Sequence, residues 1–173
     1  MAFYGTAIKE LEVGKEVSSL NDGIYGLKTL EKIEVEKENA GYVSEEGVLY
    51  NKEKTKLIRY PQSKGDVTEY EVPEGVESIG EKGFYSNEKI KKVMLPESLK
   101  SIGEEAFCNC KSLTEIEIPD NVKELEKETF SGCVNLKEVV LGKSLESIGN
   151  IMKELLFKAS ALGINIRFYP VTV

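Results

Sequence analysis

A 23-residue interval runs through the middle of this chain and constrains its fold more than any other feature. It links Pro73, Pro96 and Pro119, and its next step lands on Gly142. The same interval joins Ile79, Ile102, Leu125 and Ile148, and also Phe84, Phe107 and Phe130. Ahead of each proline or its replacement stand paired apolar positions: Tyr70 and Val72, Val93 and Leu95, Ile116 and Ile118, Val139 and Leu141. Self-similarity at a fixed period of roughly 20–50 residues marks an architecture of stacked units.

Within one unit, the alternation at Ile116 and Ile118 predicts a short strand with one buried face. Steps of three follow at Val122 and Leu125, too brief for an amphipathic helix and suited to a tight turn or a second short strand. A unit this small cannot bury its own apolar face and must stack on a copy of itself. Stacked strands make a parallel sheet, and connections between parallel strands are right-handed in nearly all cases. The expectation is a right-handed, mostly β solenoid with a parallel sheet on its concave side.

The run Leu113-x-x-Ile116-x-Ile118-Pro119, with Ser101-Ile102-Gly103-Glu104-Glu105-Ala106-Phe107 and Cys110, resembles the BspA-like leucine-rich repeats. So does the segment from Asn39 to Asn51 with Leu57-Ile58-Arg59-Tyr60-Pro61, which is similar to an insertion found in that family. The resemblance covers residues 3 to about 149. It departs from the pattern at Asn87, where cysteine is expected, and from about Asn150 onward. It implies a bacterial cell-surface or secreted protein that binds host or bacterial surface proteins.

Residues 1–173 read as one leucine-rich-repeat domain. Ile8, Leu11 and Val13 fit a degenerate strand, and Leu30, Ile33 and Val35 fit the next. Ala2-Phe3 corresponds to the middle of a repeat, so the chain reads as entered midway and excised from a longer one, because an uncapped solenoid end exposes apolar surface and a strand edge. Residues 36–66 interrupt the period. Val48-Leu49-Tyr50 and Leu57-Ile58-Arg59-Tyr60, joined by a charged loop, predict a projecting hairpin. From 150 to 173 the register breaks. Asn150 can cap a helix over 151–162, Gly163 can end it, and Ile164, Ile166 and Phe168 alternate as a final strand. This helix–strand cap places the domain in an α/β class.

Several chemistries are excluded. The chain contains no histidine, which removes Ser–His–Asp and Cys–His catalysis and the usual zinc ligand. With 30 Asp+Glu against 23 Lys+Arg, the clustered positive charge that nucleic acid requires is missing. No stretch approaches the ~20 apolar residues of a membrane span, and the first residues lack the regions of a signal peptide. No Asp-x-Asp-type calcium loop occurs. No cofactor, metal or catalytic residue is therefore expected. Cys110 and Cys133 share one repeat position; they are open to a disulfide or to service as buried thiols in a small apolar slot. The recurring Ser-Ile-Gly at Gly80, Gly103 and Gly149 suggests a tight turn, with φ > 0 as one option.

The surface candidates come from strand residues that flank the buried positions. One column runs Glu10, Lys32, Glu69, Lys92, Glu115, Glu138; its neighbour runs Glu12, Glu34, Glu71, Met94, Glu117, Val140. Rungs of a sheet lie ~4.8 Å apart, so stacked carboxylates repel one another. Such a column reads either as a solvated face or as an acidic surface for a basic partner, with Met94 and Val140 as apolar contacts. Tyr50 and Tyr60 read either as an aromatic recognition surface on the hairpin or as local cover for the coil. The functional expectation is a protein-binding or adhesion module. The alternative is a structural spacer carrying a separate domain in a longer parent.

Overall fold

The computed structural model describes residues 6–20, 24–148 and 165–168, and short β-strands dominate them. They form a mostly β, parallel solenoid of about six turns. One wall is a parallel sheet of β6 (Glu69–Glu71), β8 (Lys92–Met94), β10 (Glu115–Glu117), β12 (Glu138–Leu141) and β14 (Asn165–Phe168). The facing wall stacks β7 (Ser78–Ile79), β9 (Ser101–Ile102), β11 (Glu124–Leu125) and β13 (Ser147–Ile148). A third, separate sheet holds β1 (Glu10–Val13) beside β2 (Lys32–Val35). The helix expected over 151–162 lies outside the described residues. The described chain is therefore β rather than α/β, and β14 lies parallel to β12.

Register follows the apolar pattern. Glu69 pairs with Lys92, Lys92 with Glu115, and Glu115 with Glu138. Outside this stretch the step changes: Glu10 pairs with Lys32, Lys56 with Ser78, and Glu138 with Asn165. A single turn shows why the coil holds. Ile116, Ile118, Val122, Leu125, Phe130 and Leu136 are all buried, each contributing roughly 1.5–3 kcal/mol by leaving water. Pro119 ends the strand pairing, and the Val122 amide then bonds back to its carbonyl at 3.1 Å.

The turns between the walls are themselves bonded from coil to coil. The amide of Phe84 donates to Ala106 and that of Phe107 to Thr129. The chain bends there at positive φ, at Lys82, Glu105 and Glu128, and again at Ser86, Asn109 and Gly132. Gly80 and Gly103 are absent from this set, so the φ > 0 option does not apply to them. Gly103 is needed for close approach instead: a Cβ there would stand 2.8 Å from the Glu81 amide nitrogen of the coil before.

Cys110 and Cys133 are buried free thiols, not a disulfide. Each donates to the phenylalanine carbonyl one coil back, Cys110 to Phe84 at 3.1 Å and Cys133 to Phe107 at 3.0 Å. Burial pushes both thiols up, Cys133 to about 12, which keeps the proton they donate. Asn87, where the repeat leads one to expect cysteine, performs the same task. Its Nδ2 donates to Pro61 O at 3.2 Å while Oδ1 accepts the Lys89 and Ile90 amides.

The insertion does not project. It is a three-stranded meander of β3 (Tyr42–Glu45), β4 (Val48–Asn51) and β5 (Lys56–Arg59) in which β4 is antiparallel to both neighbours. Through β5 it joins the β7 wall. Val48 and Tyr50 pack into the main core, and Leu49 packs into a second core with Val13, Leu27, Leu30 and Ile33. Both faces of β4 are thus buried, and the expectation of a protruding hairpin is corrected.

Candidate functional site

The outward-facing residues of β6, β8, β10, β12 and β14 present two columns. The first is Glu69, Lys92, Glu115, Glu138 and Asn165; the second is Glu71, Met94, Glu117, Val140 and Arg167. Glu10, Lys32, Glu12 and Glu34 belong to the separate β1–β2 sheet, so the columns do not run unbroken along the molecule as the spacing suggested. The break falls where residues 36–66 enter.

Like charges stack less than the sequence implies. Lys92 Nζ bridges to Glu115 at 2.5 Å, and Arg167 Nε bridges to Glu138 at 3.1 Å. The Glu115 carboxylate, by hydrogen bond and by charge, holds Lys92 above the ordinary lysine range, with Glu69 and Glu117 adding to the effect. These pairs are largely exposed, so they orient side chains more than they stabilise the fold. Five glutamates against Lys92 and Arg167 still leave the face negative.

In column two, Glu117 stands between two apolar neighbours. Met94 is 37 % exposed and Val140 is half-buried. Met94 and Val134 are the large hydrophobic residues exposed among those described, and Val134 sits on a turn away from the columns. A depression of about 350 Å³ collects Met94, Val140, Lys92, Glu115, Glu117 and Glu138, with Leu95 and Pro119 at its side. Arg167 escaped sequence reasoning, although the alternation of Ile166 and Phe168 points it outward.

Tyr50 and Tyr60 are corrected. Both are 1 % exposed and belong to the main core. The Tyr60 ring stacks on Phe84 at 5.1 Å, which stacks on Phe107 at 5.0 Å, and Phe107 on Phe130 at 5.5 Å. Tyr60 is therefore the first rung of the phenylalanine column. The Tyr50 hydroxyl is hydrogen-bonded to that of Tyr70. Packing claims both rings because the meander is sandwiched between two cores.

Among the described residues, no group of three or more His, Cys, Asp or Glu is placed to hold a metal ion. No helix among them is long and apolar enough to cross a membrane.

A stacked β coil with one open, charged sheet face defines the leucine-rich-repeat class of solenoid. Within that class, the BspA type leucine rich repeat region matches residues 60–162 in six copies, and the chain belongs to that family. Its structure is similar to that of the pneumococcal vaccine antigen PcpA, with a TM-score of 0.77 and 32 % identity, over 82 % of this chain and 35 % of that one. It is also similar to a leucine-rich repeat protein from Eubacterium ventriosum, with a TM-score of 0.65 and 29 % identity, over 83 % of this chain and 49 % of that one. A leucine rich cell surface protein from Faecalibacterium prausnitzii shares the fold at a TM-score of 0.72 and 23 % identity, over 99 % of this chain and 50 % of that one. The chain thus spans between about a third and a half of these relatives. Among curated proteins none matches it.

Proposed function

We propose that this chain is a protein-binding module of a bacterial cell-surface or secreted protein. On this reading it receives a basic partner segment bearing an apolar side chain on the β6–β12 sheet face. The observation that carries the reading is the depression that sets Met94 and Val140 among Glu115, Glu117 and Glu138. Exposed methionine is an adaptable contact, and surrounding carboxylates steer a basic partner and fix its register. A surface location is supported by the family and by the pneumococcal relative, whose name describes a vaccine antigen. Catalysis has no part in this reading: the chain holds no histidine, and an open sheet face excludes water poorly.

The test is capture of host matrix proteins and bacterial surface proteins by the immobilised domain. A partner held at micromolar concentration should be lost with Glu69, Glu71, Glu115 and Glu117 all changed to Lys, and lost again with Met94→Asp alone. Failure to bind any of them, or binding indifferent to both variants, overturns the reading.

The greater length of the relatives favours a second reading, a spacer that carries another domain. The parent reading frame decides between the two. A catalytic domain alongside these repeats would support the spacer, and repeats alone would count against it.

A further inference from the structure

A second cavity shares no residue with the sheet face. It has a volume of about 730 Å³ and crosses the loops of successive coils, from Tyr25 and Lys28 past Gln62 and Tyr85 to Lys111. Its charge opposes that of the protein. Lys28, Lys89 and Lys111 line it against Glu88 alone, in a chain of formal charge −7. Lys89 reaches Asp66 at 3.6 Å and Lys111 reaches Glu88 at 2.7 Å. Both pairs are exposed, so a competing anion displaces them at little cost.

Two buried groups beside the cavity are incompletely satisfied. Gln62, 4 % exposed, lines it and donates through Nε2 to the Tyr25 and Tyr85 carbonyls at 3.4 and 3.0 Å. That leaves Gln62 Oε1 an acceptor without a donor. Arg59, one of two arginines in the chain, is fully buried with its guanidinium 5.6 Å from the Tyr25 ring centre. It donates to the carbonyls of Lys82 and Tyr85, its Nε has no partner, and no carboxylate among the described residues pairs with it. A buried cation is costly unless it is paired, and Arg59 adds positive charge beside the Tyr25 ring that lines the cavity.

The lining narrows the ligand. It contains no aliphatic side chain; its carbon faces are the half-buried rings of Tyr25 and Tyr85. A peptide partner anchors through apolar or aromatic side chains in fitted pockets, and this cavity offers none. Tyrosine faces, hydroxyl-bonding groups at Ser63, Ser86 and Asn109, and a lysine rim instead suit a ring that is hydroxylated and charged. We propose that the cavity binds an anionic glycan, a sugar chain bearing carboxylate or sulfate groups. The rings lie on Tyr25 and Tyr85, hydroxyls meet Ser63, Ser86 and Asn109, and the acid groups sit against Lys28, Lys89 and Lys111.

Fluorescence anisotropy with labelled heparin and hyaluronan hexasaccharides tests this, since the first carries sulfates and carboxylates and the second carboxylates alone. Neutral chitohexaose and hexaglutamate serve as competitors. At least one charged hexasaccharide should bind saturably, more weakly as salt rises. Lys28→Glu with Lys111→Glu, both exposed, should weaken it about tenfold or more, near 1.4 kcal/mol. Tyr85→Leu should weaken it with thermal melting unchanged, because the backbone carbonyl that Arg59 and Gln62 use is retained. Glu115→Lys with Glu117→Lys should leave it intact, which separates this site from the sheet face. The proposal is overturned if neither charged sugar binds at millimolar concentration, or if chitohexaose or hexaglutamate competes as well as the labelled sugar. Indifference to the cavity variants overturns it too.

Discussion

The ring column shows how one side chain can fit the packing of a repeat and miss part of its chemistry. Tyr60 lies in the stack with Phe84 and meets Tyr70 edge-on at 4.7 Å, so its ring serves the core as a phenylalanine would. Its hydroxyl is buried without a hydrogen-bond partner, a state that costs about 1–3 kcal/mol. Tyr60→Phe keeps the ring and removes the orphan oxygen, so it should stabilise the protein by about 1 kcal/mol. A raised midpoint in urea, with an unchanged slope, is the expected result; a lowered midpoint would show that the hydroxyl has a partner in solution. Asn87 is the converse case. It lacks the sulfur of Cys110 and Cys133 but reproduces their bond to the preceding coil and adds two of its own. A departure from consensus can therefore preserve the interaction that the consensus exists to make.

At the scale of elements, β4 decides how the two ends of the molecule communicate. Leu49 faces the small core of Val13, Leu27, Leu30 and Ile33, while Val48 and Tyr50 face the large one. The β1–β2 pair joins neither long sheet, so packing on the meander, with bonds such as Ile33 N to Gly47 O at 3.0 Å, is what couples it. Leu49→Ala should cost about 2–5 kcal/mol locally. Native-state hydrogen exchange should then show lost protection in β1 and β2, while β8, β10 and β12 keep theirs; a uniform loss would sink this view of two cores. The strands at 69–71, 92–94, 115–117 and 138–141 were legible because burial on one side imposes a period of two on few residues. The meander was harder to read. Its residues are apolar on consecutive positions, since both faces are covered, and a continuous apolar run does not say which neighbours cover it. The glutamate columns were legible as outward positions. Their pairing with Lys92 and Arg167, and the burial of Tyr50 and Tyr60, depend on contacts across coils that no single repeat contains.

For the molecule as a whole, a solenoid is close to one-dimensional: each coil touches only its neighbours, and stability is a sum of coils and the interfaces between them. The phenylalanine column makes this measurable. Phe107 and Phe130 are the same residue at the same repeat position and are equally buried, at 0 % and 1 % exposure. Among the described residues, Phe107 has a stacked ring on both sides, Phe84 and Phe130, whereas Phe130 has Phe107 on one side only. Truncation to alanine removes a similar apolar area at either site, about 3–5 kcal/mol for a buried phenylalanine. Stacking adds about 0.5–1.5 kcal/mol for each ring pair. Phe107→Ala should therefore destabilise more than Phe130→Ala by about 1 kcal/mol, read from urea midpoints at a common slope. The double variant should cost less than the sum of the two, because the pair shares one contact that can be lost only once. Equal single costs with strict additivity would mean that the rings are independent fillers of their own coils. The column would then add nothing to the coupling between coils, which would rest on the backbone ladders and the aliphatic residues.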